Sequence, residues 1–178
     1  MFNHSLVASP QNPFWQFSLA VYNDVEIREA CHDFQDINSA NVNLILFAYW
    51  LGYAVEDISH DEFTHACNCV ALWNKEITKP LRKIRILLKD ISNNDWAKRY
   101  YSQILTDEII SESYQQELLY NQIKHRIKER ATQNNTLSYQ YLSWLFNNMG
   151  QELHESLKIR IEYFIQIMGN RLDCIQKP

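Results

Sequence analysis

The segment from Val42 to Leu51 places the strongest constraint on how this chain of 178 residues can fold. Its sequence, VNLILFAYWL, contains one frankly polar residue, Asn43. At about 100° of rotation per residue, the apolar side chains point in every direction around a helix, so no face of that helix suits water. Other helices must therefore enclose it. The segment predicts a multi-helix bundle packed round a central buried helix over residues 42–51.

The scarcity of glycine and proline bounds the fold class. The chain has 3 glycines and 4 prolines, too few for a loop-rich all-β fold or for glycine-rich phosphate loops. No strand alternation persists, whereas helix-start signals recur, such as Asn12 before Pro13 and Ser59 before Glu62. We predict an all-α fold of seven to nine helices, forming a single domain over residues 1–178 with a disordered tail over residues 1–11.

Helix boundaries follow from the same signals. The central helix is expected to end at Gly52, because glycine is a common C-cap. Pro80 is expected to begin a new helix that Thr78 caps. Beyond it, the apolar pattern predicts one helix over residues 96–105 and a long amphipathic helix over residues 107–130.

Charge and the N-terminus narrow the class of protein. The formal net charge of −4 at pH 7 is typical of neither a general nucleic-acid binder nor a disordered acidic protein. The N-terminus lacks a basic region followed by an apolar run, and no stretch of about 18 apolar residues occurs, so no signal peptide and no membrane-spanning helix is predicted. We expect a cytoplasmic protein whose 4 cysteines stay reduced.

The chain carries four stretches in a distinctive order: WQFSLAVY, then C-x3-Gln35-Asp36, then NVNLILFAYWL, then a tryptophan followed by PLRKIRILLK. Together they resemble a family of small proteobacterial proteins known as a domain of unknown function, number 2390. The resemblance covers roughly Phe14 to Tyr120 and implies a shared fold, but it brings no activity to this chain. The chain departs from the family where Ile86, rather than a second basic residue, follows Arg85. The corresponding residues are Trp15, Gln35, Asp36, Asn43, Trp50, Trp73, Pro80, Leu81, Arg82 and Lys89.

Two Glu-x-x-His pairs, Glu29 with His32 and Glu62 with His65, have the spacing of metal ligands in helical bundles. Their helical phase points away from the apolar stripes of their helices, whereas ligands of a bundle-core metal must point inward. We therefore expect no metal and no other cofactor. No G-x-S-x-G nucleophile motif occurs, and the sequence identifies no catalytic residue, which favours a non-enzymatic protein.

A polar group beside the central helix has two interpretations. Gln35, Asp36, Asn41 and Asn43 could line a pocket for a small polar ligand. Alternatively, Asn41 or a neighbouring serine caps the central helix while Gln35 and Asp36 bond its free N–H groups, as buried polar groups usually do. The structural interpretation is favoured, and both stay open. The aromatic walls of the pocket would be Trp15, Tyr49 and Trp50.

Five cations near Pro80 are the best functional candidates: Lys79, Arg82, Lys83, Arg85 and Lys89. Positive charge is unfavourable in the opening turns of a helix unless an anion compensates for it, and the free amides there can themselves hold an anion. We predict that this basic helix docks an acidic protein partner, with RNA or a phosphorylated ligand as further possibilities. The alternative is a solvated face paired with nearby acids.

Two classes of function follow. The first is a non-enzymatic interaction or regulatory module, away from any membrane, that docks an acidic or phosphate-bearing partner through the basic helix. The second is a small-ligand-binding or enzymatic helical bundle with a polar pocket beside the central helix. A deep pocket lined by Gln35, Asp36 or Asn43 would favour the second.

Overall fold

The computed structural model describes residues 11–91 and 94–176, the last two of these by their backbone alone. The fold is all-α, as the sequence predicts, and extended pairing within the described ranges is limited to a bridge between Val55 and Ile127. The predicted disordered tail over residues 1–11 lies outside these ranges, apart from Gln11. The helices are α1 (Pro13–Tyr22), α2 (Val25–Asn38), α3 (Val42–Ala54), α4 (His60–Asn68), α5 (Ala71–Trp73), α6 (Lys79–Ile91), α7 (Asp95–Ile123), α8 (Asn135–Asn148) and α9 (Glu155–Gln176).

Helix α3 lies within the hydrophobic core. All its side chains from Ile45 to Leu51 are buried, and one cluster of buried apolar residues joins α3 to α1, α2, α4, α7, α8 and α9. Asn41 caps the helix by accepting a hydrogen bond from the N–H of Asn43 at 3.1 Å. An apolar pattern on every side of a helix thus corresponds to neighbours on every side.

Helix α8 packs against α3 at Gly52, and this contact explains the glycine. The prediction that Gly52 ends the helix is wrong, since α3 continues to Ala54. A Cβ atom at position 52 would lie 2.3 Å from Ser138 Oγ and 2.6 Å from the Ser138 backbone nitrogen. Glycine is therefore needed here because two helix backbones meet, which is a requirement that local sequence does not distinguish from capping.

The helix predicted to begin at Pro80 has no separate N-terminus. A π-helical segment, Asn74–Thr78, joins α5 directly to α6, and the N–H of Lys79 donates to the Asn74 carbonyl. Proline has no N–H for the preceding turn, and the wider π turn carries the helix past it. Thr78, predicted to be a cap, is instead buried, with its hydroxyl 2.6 Å from that of Ser111.

Helix α7 runs unbroken from Asp95 to Ile123, where the sequence predicted two helices. Helix α6 and the π-helical segment before it fold back along α7, so that Thr78 meets Ser111 and Arg85 meets Glu108. A 3-10 turn, Lys124–Arg126, follows α7. None of the helices in the described ranges is both long and apolar enough to cross a membrane.

Candidate functional site

A cavity of about 340 Å³ lies between α1, α2, α3, α6 and α7. Its volume falls within the range of small-molecule sites in proteins. The apolar wall comes from three helices, each of which turns regularly spaced side chains toward the same space. Helix α1 supplies Trp15 and Leu19, α3 supplies Leu46, and α7 supplies Leu105 and Ile109.

Two arginines of α6 and two glutamates of α7 form the charged part of the lining. Arg82 Nε donates to Glu108 Oε1 at 2.9 Å, and Arg82 Nη2 donates to Glu112 Oε1 at 2.6 Å. Arg85 bonds both oxygens of Glu108, while Arg82 Nη1 donates to the Gln35 side-chain carbonyl on α2. The Glu108 side chain is only 5% exposed. Breaking one of these contacts would leave a buried charge without its partner, which costs free energy. The contacts therefore restrain the side chains of this cluster.

The two glutamates have different environments although they share Arg82. Burial by itself raises the pKa of Glu108, but hydrogen bonds from Arg85 and Arg82 outweigh it and hold that pKa below its usual value. For Glu112, burial raises the pKa; the attraction of Arg82 opposes this shift, and the negative charge of Glu108 adds to it. Since Glu108 already neutralises much of the charge of Arg82, the pKa of Glu112 remains raised.

Sequence reasoning missed Glu108, Glu112 and Gln116, which all line the cavity. The signal was their spacing of four residues, which aligns them on one face of a helix. The sequence patterns assigned no role to that face, because inward positions of an amphipathic helix are normally apolar. On α7 the inward face is instead largely polar, and Ser111 and Gln115 are buried beside these three residues.

A buried hydrogen-bond network fixes the position of α7 against its neighbours. Gln116 Nε2 donates to Asn43 Oδ1 at 2.8 Å, and Asn41 Nδ2 donates to Gln115 Oε1 at 2.8 Å. Gln115 Nε2 in turn donates to Thr78 Oγ1 at 2.7 Å. These bonds tie α3, α7 and the π-helical segment together, and thereby set the shape of the cavity.

The predicted polar group is only partly brought together. Gln35 and Asn43 line the cavity, whereas Asn41 caps α3 and belongs to the network behind it. Asp36 is exposed on α2, and Gln35 bonds Arg82 rather than the N–H groups of α3. Of the predicted aromatic walls, Trp15 lines the cavity, but Tyr49 and Trp50 lie in the core because α3 turns them away from it.

The five predicted anion-binding cations lie in two environments. Arg82 and Arg85 line the cavity, and their charges are compensated by α7 rather than by acids near Pro80. Lys79, Lys83 and Lys89 are exposed along α6. The helix start that motivated the prediction is not present, so free amides do not contribute there. Partner binding by these residues stays a prediction.

The residues considered as metal ligands lie on solvent-facing positions. Glu29, His32 and His65 are exposed, and Glu62 completes the capping box of α4 while accepting from Arg126 at 2.7 Å. In the described part of the chain, no three His, Cys, Asp or Glu side chains are grouped to hold a metal ion. Metal analysis of untagged protein tests the expectation that stoichiometric iron, manganese or zinc is not bound.

Three residues of the cavity lining each carry a buried polar atom that has no hydrogen-bond partner among the described residues. These atoms are Trp15 Nε1, Ser18 Oγ and Gln116 Oε1. Leaving such an atom unpaired costs about 1–3 kcal/mol. Five further buried atoms of this kind occur elsewhere in the described residues, on Asn38, Tyr49, Ser143, Arg160 and Arg171.

The part of the chain that lines the cavity matches a known protein family. A family model described as Protein of unknown function (DUF2390) matches residues 13–119, which include every residue that lines the cavity. No match is found among proteins of curated function or among solved structures. The matched part is more than half of the chain, and the chain therefore belongs to the family described as Protein of unknown function (DUF2390).

Proposed function

We propose that this protein binds a small molecule in the cavity between α1, α2, α3, α6 and α7. The observation that carries the proposal is the combination, in one space of about 340 Å³, of an apolar wall and a fixed cluster of charged and amide side chains. Binding sites for small molecules have this composition, because the apolar wall supplies affinity and a few placed polar groups supply orientation.

A structural role alone does not account for the cavity. Protein interiors are close-packed, with few voids larger than a water molecule. A chain that needed only stability would fill this space with side chains and would gain by replacing the buried ion cluster with apolar residues of similar volume. Maintaining both the space and Glu108 with its two arginines favours a ligand.

A second hollow of about 340 Å³ lies beside Tyr53 and Asp173 but lacks these features. Most of its lining residues, among them Arg130, Thr132 and Gln133, are exposed. Since exposed polar side chains neither exclude water nor fix an orientation, this hollow is a surface depression and does not compete as the binding site.

Blocking the cavity tests the proposal. Ile109 lines it and is 45% exposed, so Ile109→Trp should occupy the entrance without disturbing the core. Ile159→Trp on α9 is the matched control, since Ile159 is 56% exposed and lies outside the cavity lining. In a ligand-observed NMR screen of a fragment library, binding should be lost in Ile109→Trp and kept in Ile159→Trp. Identical spectra for the two variants would contradict the proposal.

Docking of an acidic partner on α6 is a second candidate function, and one observation favours it. Lys79 and Lys83 are exposed beside Ile86 and Leu87, which are 50% and 56% exposed. Cations next to exposed apolar residues are typical of protein interfaces more than of a purely solvated helix face. This surface differs from the cavity, so the two functions are tested by different substitutions.

A further inference from the structure

We propose that two copies of this chain associate through the exposed side of α6, with the two α6 helices packed antiparallel. The proposal concerns a surface that does not line the cavity, so it goes beyond the ligand-binding function and does not depend on it. It rests on an exposed apolar stripe of α6 and on two charges beside that stripe.

Helix α6 and the first part of α7 lie apart from the hydrophobic core. Among the described residues from 71 to 117, none belongs to the main core cluster. Half of the large apolar side chains that are exposed in the described part of the chain lie between Leu72 and Tyr100. Apolar surface that is concentrated in one region in this way is typical of an interaction site.

Four residues of α6 recur with the spacing of a coiled-coil seam. They follow one another at intervals of four, three and four residues, and we call them the α6 stripe: Pro80, Ile84, Leu87 and Ile91. Pro80 is exposed, and the exposed fractions of the other three side chains lie between 39% and 64%. This spacing keeps apolar residues on one face of a helix, and such a face is normally buried against another helix.

A second copy of the chain supplies the same stripe, and an antiparallel arrangement uses all of it. When Ile84 of one copy packs against Leu87 of the other, Pro80 of the first lies opposite Ile91 of the second. Each contact then occurs twice about a two-fold axis. Such a self-complementary surface is what a symmetric dimer requires.

The charges beside the stripe favour the same register. Lys83 and Asp90 are exposed and lie one heptad apart, at positions that pair between antiparallel coiled-coil helices. In the register that joins Ile84 to Leu87, Lys83 of each copy faces Asp90 of the other. Sliding one helix by a heptad would set Lys83 against Lys83 or Asp90 against Asp90, and an in-register parallel pair would set Lys83 against Leu88. An acidic protein could pair with Lys83 but would be repelled by Asp90, whereas a second copy pairs both.

Sedimentation velocity of the full chain at a series of concentrations tests the association. We expect the 21.2 kDa monomer to give way to a dimer as the concentration rises through the micromolar range. Leu87→Lys places a charge in the middle of the stripe and should raise the dissociation constant by about thirtyfold or more. Ile159→Lys on α9 is the matched control, since Leu87 and Ile159 are both 56% exposed, and it should dimerise as the wild type does. Circular dichroism and thermal melting establish that each variant is folded.

Charge reversal tests the register. Lys83→Asp sets acids against each other at two places in the dimer, and Asp90→Lys does the same with lysines, so each should raise the dissociation constant by about tenfold. The double variant with both changes restores opposite charges and should dimerise as the wild type does. A one-to-one mixture of the two single variants should form a mixed dimer, because one copy is then acidic at both positions and the other is basic at both.

Three results would overturn the proposal. The first is a wild type that stays monomeric at its highest soluble concentration, which would leave α6 to a different occupant, such as the acidic partner considered above. The second is a dimer that Leu87→Lys does not weaken, since its interface would lie elsewhere. The third is a double variant that dimerises no better than the single ones, because the antiparallel register would then be wrong. Ligand binding is tested separately by Ile109→Trp.

Discussion

Helix α3 meets α8 on one side and α7 on the other, and the two contacts differ in kind. Toward α8, Gly52 lies against the Ser138 backbone, and the Ser138 hydroxyl donates a hydrogen bond to the Tyr49 carbonyl at 3.2 Å. Toward α7, amide side chains meet and a cavity remains open. Since α3 is apolar on both sides apart from Asn43, the difference between the two sides comes mainly from the partner helix.

The largest expected difference concerns side-chain truncation on the two sides. Phe146→Ala should lower the free energy of unfolding by about 3–5 kcal/mol, because a fully buried ring is lost and a void is left behind. Ile109→Ala on the cavity side should cost less than about 1 kcal/mol, since Ile109 is nearly half exposed. Urea unfolding of both variants measures the two decreases in the free energy of unfolding. Equal decreases would show that the two sides of α3 do not differ in packing.

A second comparison sets the buried ion cluster against a surface pair. Glu108→Gln should lower the free energy of unfolding by about 3 kcal/mol, because it leaves two arginines beside the cavity without their common carboxylate. Glu62→Gln is the matched control: the pair of Glu62 with Arg126 is solvent-exposed, and glutamine can still close the capping box of α4. If Glu62→Gln lowered the free energy of unfolding as much as Glu108→Gln, the buried cluster would contribute no more to stability than the exposed pair.

The close helix crossing predicts an effect of intermediate size. Gly52→Ala should destabilise the protein by about 1–3 kcal/mol, because its Cβ meets the Ser138 backbone, which cannot move aside easily. In Gly169→Ala the new Cβ meets the end of the flexible Gln133 side chain, and helix propensity favours alanine. Thermal melting should therefore show a lower midpoint for the first variant and an equal or higher one for the second.

The two glutamates of the cavity should give pH dependences of opposite sign. The pKa of Glu108 is lowered from 4.5 by its arginines despite burial, so its contribution to stability is present above that value and lost as the pH falls. The pKa of Glu112 is raised by burial, so its contribution is present in acid and lost as the pH rises. From acid to neutral pH, Glu108→Gln should become progressively less stable relative to the wild type and Glu112→Gln progressively more stable. Urea titrations at a series of pH values would contradict this if both differences moved the same way.

The smallest effect on stability is expected on the outer face of α6. Lys79→Glu with Lys83→Glu should leave the thermal midpoint nearly unchanged because both side chains are exposed, whereas Arg82→Glu with Arg85→Glu should lower it sharply. If the lysines dock an acidic partner, capture from native lysate should disappear in the lysine variant and weaken with salt. Undiminished capture would assign the partner to another surface.

The burial of α3 could be predicted from its own residues, because a helix that is apolar on every side must be enclosed by others. The predicted helix boundaries were wrong at a glycine and at a proline, because each of these residue types occurs in more than one structural setting. Gly52 allows a helix crossing rather than a cap, and Pro80 lies inside a helix that a π turn adapts to it. The role of Gly52 or Pro80 can be assigned only when the helix that packs against it is known.

The candidate site could be predicted only as two separate halves. Sequence patterns singled out Gln35 and Asn43 in one group and Arg82 and Arg85 in another, but the bond that joins Gln35 to Arg82 spans 47 residues. The connecting residue, Glu108, lies on a helix whose buried face is polar, contrary to the usual pattern of amphipathic helices. Local periodicity does not contain that information.

The π-helical segment between α5 and α6 determines where this chain can change in length. A π turn holds one residue more than the α-helical turn that replaces it. Removing one residue from Asn74–Thr78 would therefore leave α6 in its present orientation. Removing one just after Pro80 would instead rotate the rest of α6 by about 100°, bringing Ile86 to the place from which Arg85 reaches Glu108. Among single deletions between Asn74 and Arg85, one within this segment is therefore the kind that keeps the arginines facing α7.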